Sequence, residues 1–294
     1  MLSNYKPLDY REFFNLLIFL TKDKPIVPSN SSSGKGEVLV MVEFRKVLFT
    51  SEHQETIKIE LPYYSAFRDL LTVPWLSYFP LELYSSRPRA MGLTDFDIVV
   101  IGHPKKPFSI DNIIKYINFV EDGGCLWIIS GNGGDLNWNN NLSELGKQFG
   151  IIFQSDRVID HHNNVGKPSW PTITDIIEDQ VTLGVKRLIY PVGCSLLTRT
   201  RRMKNIAYSD DNASVEAINR DAKKREFSDR TGFFGKDDWI DIGIPHVPII
   251  ATTTVKNGKI VAIGTPNFFH DQVIRAEDNH TLILNLFVWM ISDL

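Results

Sequence analysis

At 294 residues and 43% hydrophobic content, the chain can bury a full core, as one large domain or as one with an appendage. A net charge of −3 leaves no basic footprint for nucleic acid or anionic lipid. Two cysteines, Cys125 and Cys194, are too few for a disulfide scaffold and fit a reducing, cytoplasmic compartment.

In chain order, the first feature is the apolar run FFNLLIFL, Phe13 to Leu20. Asp9, Arg11 and Glu12 precede it, Lys22-Asp23-Lys24 follow, and no small-residue cleavage site appears, so it does not read as a signal peptide. It is also far too short to span a bilayer. The reading is a helix, Asp9 to Lys22, that docks on the domain or on a partner. Pro25 to Gly36 (PIVPSNSSSGKG) reads as a flexible linker. The expected division is therefore 1–36, helix and linker, and 37–294, one α/β domain.

That domain opens with a strand at Glu37 to Glu43 and an alternating, half-exposed one at Thr56 to Leu61. Tyr64 to Val73 is predicted helical, and Pro80 to Tyr84 extended. Asp97 to Gly102 is a β-branched apolar run, as in a strand buried on both faces. Ser109 caps a predicted helix with Ile110, Ile113, Ile114, Ile117 and Val120 at helical spacing. Gly123-Gly124 stop it before a second buried strand, Cys125 to Ile129. A strand–helix–strand unit of this kind builds an open α/β sheet, whose ligands usually sit beyond the strand carboxyl ends. The turn Ser130-Gly131-Asn132-Gly133-Gly134-Asp135 stands at such an end.

Asn141 to Phe149 reads as a helix with Leu142 and Leu145 inward, ended by Gly150. Short strands follow at Ile151–Phe153, Arg157–Ile159 and Leu188–Val192, the last running into a tight turn at Gly193. Residues 198–240 are mostly charged and read as an insertion, mobile or folded as a small helical lid. Ile249–Val255 and Lys259–Ile263 form a hairpin about Asn257-Gly258. Glu277 to Ile291 is read as an amphipathic closing helix.

Several segments, in order, resemble one family: DFDIVVIGHPKKPFS, FVEDGGCLWIISGNGGD, NNNLSELGKQFGIIFQSDRVID, LIYPVGCSLL, GKIVAIGTPNFFHDQ and EDNHTLILNLFVWMI. From about Asp95 to Ile291 the chain is similar to the GIFT domain. That domain is shared by a bacterial gliding-motility ABC-transporter auxiliary protein and an intraflagellar transport subunit. The resemblance implies a three-layer, mostly parallel α/β fold of the class I glutamine amidotransferase-like or flavodoxin-like kind. It further implies a non-catalytic relative, a pseudoenzyme that serves in assembly or ligand binding without a cofactor. The N-terminal helix, the linker and the charged insertion lie outside it, and a ciliary role is not carried over.

Cysteine catalysis needs a thiolate on a strained strand-to-helix elbow with a histidine in reach. Cys125 begins a strand, Cys194 lies in PVGCSLL, and the elbow itself holds Gly131 or Asn132. His270-Asp271 falls where the resemblance places a catalytic histidine, but without its thiol. An amidotransferase-like enzyme therefore stands as an alternative only, with both cysteines read as structural.

A second alternative is a metal-dependent hydrolase. Asp160-His161-His162 with His270 and Asp271 offers suitable ligand types. No Asp-x-Asp partner motif precedes a strand, and adjacent histidines on an extended chain point apart. The turn Ser130 to Asp135 either cradles an anion or simply turns tightly, with Asp135 or Asn137 as a cap. Asn139-Asn140-Asn141 and Glu277-Asp278-Asn279 read as helix caps. Arg199, Arg201, Arg202 and Lys204 read as a solvated face or a contact for an acidic partner.

The reading is a GIFT-type binding or assembly module with no catalytic residue. Its crevice is lined by Ser130, Gly131, Asn132, Gly133, Gly134, Asp135, Asn267, His270 and Asp271, with Asp160 to His162 nearby. It takes a protein partner, through the Asp9–Lys22 helix or the charged insertion, or a small ligand such as a carbohydrate.

Overall fold

The computed structural model describes residues 44–72, 80–200, 202–218 and 239–292. The expected helix at 9–22, linker at 25–36 and strand at 37–43 lie outside these residues. The strands run β1 (Arg45–Phe49), β2 (Leu81–Tyr84), β3 (Ile98–Gly102), β4 (Cys125–Ile129), β5 (Ile151–Phe153), β6 (Asp156–Ile159) and β7 (Thr172–Ile173). They continue with β8 (Leu188–Ile189), β9 (Leu196–Thr198), β10 (Lys204–Tyr208), β11 (Ser214–Ile218), β12 (Trp239–Asp241), β13 (Pro248–Val255) and β14 (Gly258–Ile263). The helices are α1 (Ser65–Thr72), α2 (Ile110–Glu121), α3 (Asp135–Trp138), α4 (Leu142–Gln148), α5 (Asp271–Ile274) and α6 (Asn279–Ile291).

Seven strands form the central sheet, in the order β10-β13-β14-β4-β3-β1-β2. β14, β4, β3, β1 and β2 are mutually parallel, and β13 and β10 complete the sheet antiparallel. The β-branched runs of β3 and β4 explain the centre, because alternate side chains enter opposite layers. Ile98, Val100, Cys125, Trp127 and Ile129 pack with Phe67 of α1 and with Leu282, Leu286 and Phe287 of α6. Val99, Ile101, Leu126 and Ile128 pack with Ile113, Tyr116 and Val120 of α2 and with Leu142 and Leu145 of α4. The result is a three-layer α/β domain with a mostly parallel sheet between helices.

Local expectations hold where neighbouring residues decide. Ser109 caps α2, its Oγ accepting from the Asn112 N–H at 3.2 Å. Gly123 stops that helix at φ 110°. The buried face of α2 is rotated from the isoleucine stripe, however. Ile113, Tyr116, Phe119 and Val120 face inward, while Ile110 and Ile114 are 68% and 47% exposed. Two aromatic rings fill more of the interlayer space than two isoleucines, so they take the inner positions.

The alternation at residues 56–61 reports burial without strand pairing. Ile57 and Ile59 are buried, yet the segment forms no strand and runs past the end of β3, with Thr56 N–H bonded to Gly102 O. The missing neighbour of β3 is β1, which sequence pattern did not single out. Among the described residues, the expected insertion is strand: β10 closes the sheet edge, while β11 joins β6 and β12 in a three-stranded sheet. Exposed edges tolerate charge, so charge density there does not mark a loop. The strand expected at 188–192 is only Leu188–Ile189. The β13–β14 turn falls on Lys256-Asn257, one residue early, because Val255 pairs with Gly258 and Lys256 takes φ 51°.

The closing helix α6 is not amphipathic. Its residues from Leu282 to Ile291 are all buried, because a 3-10 turn at Gln180–Thr182 covers the side away from the sheet. Asn285 Nδ2 donates to Val181 O at 3.1 Å and to Leu183 O at 2.9 Å, satisfying that cover.

Two asparagines expected as caps act differently. Asn141 accepts from Phe108 N–H at 2.6 Å and donates to Phe108 O at 3.0 Å. Asn279 does the same with Ile189, at 2.9 and 3.0 Å, and has no solvent exposure. Each amide imitates one rung of a β-ladder and fastens a loop to a helix start. Asn279→Asp keeps the shape but removes the donor and buries a charge. It should lower stability by roughly 3 kcal/mol in urea denaturation at pH 7; a loss under about 1 kcal/mol would show the clasp to be dispensable.

Candidate functional site

The turn after β4 lies at the sheet's carboxyl edge, beside the end of β14, with Ser130 N–H bonded to Ile263 O at 3.0 Å. Several of the amides in and just after this turn are spent on protein carbonyls. Gly133 N–H donates to Asp156 O at 2.6 Å, Gly134 to Gly131 O and Asn137 to Gly134 O. Ser130, Gly131, Gly133 and Gly134 are buried, and Asn132 and Asp135 are half-buried. Asp135 accepts the Ser143 N–H with both carboxylate oxygens at 3.1 Å, so it braces α4. Burial pushes its carboxyl up to about 6, against the lowering effect of the Ser143 bonds.

The residue that shapes this elbow is His103, which sequence reasoning missed. It follows β3 as Ser130 follows β4, and its N–H bonds Ile129 O at 2.8 Å. That equivalence of position was the available signal. Its backbone is left-handed, at φ 55°, and its Nδ1 meets Thr56 Oγ1 at 3.1 Å. A Cβ added to Gly131 would sit 2.8 Å from His103 Nε2. The imidazole thus occupies the space that a side chain at position 131 would need. Burial, and secondarily the Lys105 charge, hold this histidine down to about 3, so it is neutral.

Both thiols are sealed. Cys125 is fully buried on the α6 side, its Sγ donating to Met290 O at 3.1 Å. Cys194 is fully buried beside the Ser130 hydroxyl, and its carbonyl accepts from Tyr190 OH at 2.7 Å. Burial first, then the Asp156 charge, pushes the Cys194 thiol well above the usual thiol range, so it carries no thiolate at neutral pH.

Across the edge, Asp271 caps α1, accepting from Ser65 Oγ at 2.6 Å and Ala66 N–H at 2.9 Å. Asn267 Nδ2 donates to Pro191 O at 3.5 Å. His270 stacks on Tyr63 at 5.1 Å and meets Tyr64 edge-on at 6.1 Å. Tyr63 is 42% exposed, so an aromatic pair stands on the surface here. Sequence reading found His270 but not its tyrosine partner, which lies some two hundred residues earlier.

Asp160 is buried and organises its own loop, Oδ1 accepting from His162 N–H at 2.7 Å and Asn163 N–H at 2.8 Å. His161 and His162 are exposed, and neither bonds the His270 region. Among the described residues, no group of three or more His, Cys, Asp or Glu side chains is arranged to hold a metal ion. No described helix is long and apolar enough to cross a membrane.

Fold and elbow together define a three-layer α/β domain with glycine at its strand-end turn. Residues 81–167 match the IFT52 GIFT domain, so the resemblance read from the motifs stands over that segment. No curated protein matches the chain. Among solved structures, the mmIFT52 N-terminal domain is similar with a TM-score of 0.64 at 16% identity, covering 83% of this chain and 96% of that one. At that identity the likeness is one of fold. A putative ThuA-like protein from Bacteroides uniformis ATCC 8492 gives a TM-score of 0.47 at 10% identity, covering 90% of this chain and 95% of that one.

Two consequences are measurable. Gly131→Ala should cost about 2 kcal/mol by urea denaturation, because its methyl group meets a buried ring. Adding His103→Ala should recover part of that loss, and strict additivity of the two would mean that they do not touch.

The second concerns pH. The unfolded chain protonates His103 below about 6.5 and the folded one only near 3. This contribution is complete above pH 6.5 and is lost as pH falls, at up to about 1.4 kcal/mol per unit. Asp135 has the opposite sign, since its folded carboxyl keeps a proton to about 6. Its contribution is present at low pH and lost as pH rises through that value. Unfolding midpoints at pH 7 and pH 5 should therefore fall further in the wild type than in His103→Asn; equal falls would show that the imidazole is not buried neutral.

Proposed function

We propose that this chain is a non-catalytic binding and assembly module of the GIFT type, acting on a protein partner in the cytoplasm. The observation that carries the reading is the elbow after β4. The elbow position falls on Gly131 or Asn132, neither of them a nucleophile, and the His103 ring fills the space that a side chain at Gly131 would take. Two buried thiols, one bonded to Met290 O, agree with it. An amidotransferase-like scaffold stripped of its nucleophile retains the crevice wall as a recognition surface. The stacked Tyr63–His270 pair supplies an anchor there, since exposed aromatic side chains give large contact area at low entropic cost. Asn132 and Asn267, both half-buried at the same edge, supply hydrogen bonding around it.

The purified protein should release no ammonia from glutamine, and neither cysteine should react with a thiol reagent until the chain unfolds. Turnover that disappears in Cys194→Ala or Cys125→Ala would overturn the proposal. On the binding side, Tyr63→Ala combined with His270→Ala should weaken partner association by about tenfold or more at unchanged urea midpoint.

A further inference from the structure

A recess of about 340 Å³ lies away from the crevice, towards the edge where β14 begins. In the β13–β14 register Thr252 faces Val261 and Thr254 faces Lys259, which places it near the amino end of β14. The recess opens because β10 pairs with β13 only as far as Lys204 with Thr252. Thr252, Thr254 and Trp289 line it, together with Gln180, Arg202 and Lys204. The last two belong to the basic run 198–204, which the crevice leaves unexplained.

The charge balance here is positive. Asp179 is the acid in the lining, and both its oxygens are engaged, Oδ1 by Val181 N–H at 3.2 Å and Oδ2 by Lys204 Nζ at 3.1 Å. Arg202 is held through its backbone, its carbonyl accepting from Thr253 Oγ1 at 3.2 Å, while its side chain stands exposed. Lys259 adds a further cation next to the lining, its buried Nζ donating to Trp289 O at 2.6 Å. Guanidinium, ammonium, hydroxyl and amide groups in one lining supply donors for an anion that carries several oxygens. The volume is near the low end of roughly 300–1,000 Å³ for ligand sites, which suits a group no larger than a modified side chain.

We propose that the recess between β10, β13 and α6 binds a phosphomonoester carried on a small side chain, with Arg202 and Lys204 pairing its oxygens and Thr252, Thr254 and Gln180 completing the donor set. This site is separate from the crevice and does not depend on the role proposed for it.

Titration calorimetry of the full chain with O-phosphothreonine, threonine, glutamate and inorganic phosphate tests it. O-phosphothreonine should bind, more weakly as salt rises, and Arg202→Gln and Lys204→Met should each weaken it by about tenfold or more at unchanged urea midpoint. Absence of binding, or equal binding by wild type and Arg202→Gln, would sink the proposal. Glutamate binding as tightly would show a site for carboxylates instead, and inorganic phosphate binding as tightly would show that the carrier is not recognised; either result overturns it as stated.

Discussion

Five consecutive residues of β4, Cys125 to Ile129, have no solvent exposure at all, and successive side chains enter opposite layers. A strand in that position cannot exist unless both faces are covered, so the chain must supply a helix layer on each side. α2 and α4 cover one face, α1 and α6 the other. The same constraint settles the chemistry of Cys125. Its alternation places the sulfur against α6, where a thiol serves as a small apolar group.

The elbow that follows β4 is governed by close approach. His103 and Gly131 come from the ends of adjacent parallel strands, and only a residue without Cβ lets the imidazole lie where it does. The imidazole in turn is neutral because it is fully enclosed. Glycine and ring are thus packed against each other, and the segment from Gln154 to Asp156 lies against the next residues of the turn, with Asp156 O accepting the Gly133 N–H. At this edge Tyr63 stays 42% exposed and stacks on His270.

Long loops are held by side chains that copy the backbone. Asn141 and Asn279 each exchange two hydrogen bonds with one distant residue, and Asp278 accepts the N–H groups of Lys186 and Arg187. Such clasps let irregular segments lie against helices without leaving buried amides unpaired. They also explain how α6 becomes enclosed. The segment fastened by Asn279 and Asp278 leads from the turn that covers the helix, and Asn285 bonds that turn directly. The same turn contributes Asp179 and Gln180 to the recess near the opposite edge, so loop anchoring and recess geometry share one element.

Local chemistry determined much of this from sequence alone. The runs at β3 and β4, the Ser109 cap, the glycine stops and the glycine-rich turn depend on residues within a few positions of each other. Spacing reads such features directly, and the ordered motifs carried the GIFT resemblance. Tertiary structure decided the rest. Which face of α2 turns inward depended on the space left by the sheet, and the alternation at residues 56–61 reported burial without revealing its lack of a strand partner. The asparagines looked like caps because their actual partners, Phe108 and Ile189, are distant in sequence. His103 and Tyr63 went unnoticed for the same reason. A histidine after one strand or a tyrosine before one helix acquires its role only when parallel strand ends and remote loops are brought within bonding distance, and periodicity along a chain carries no information about that distance.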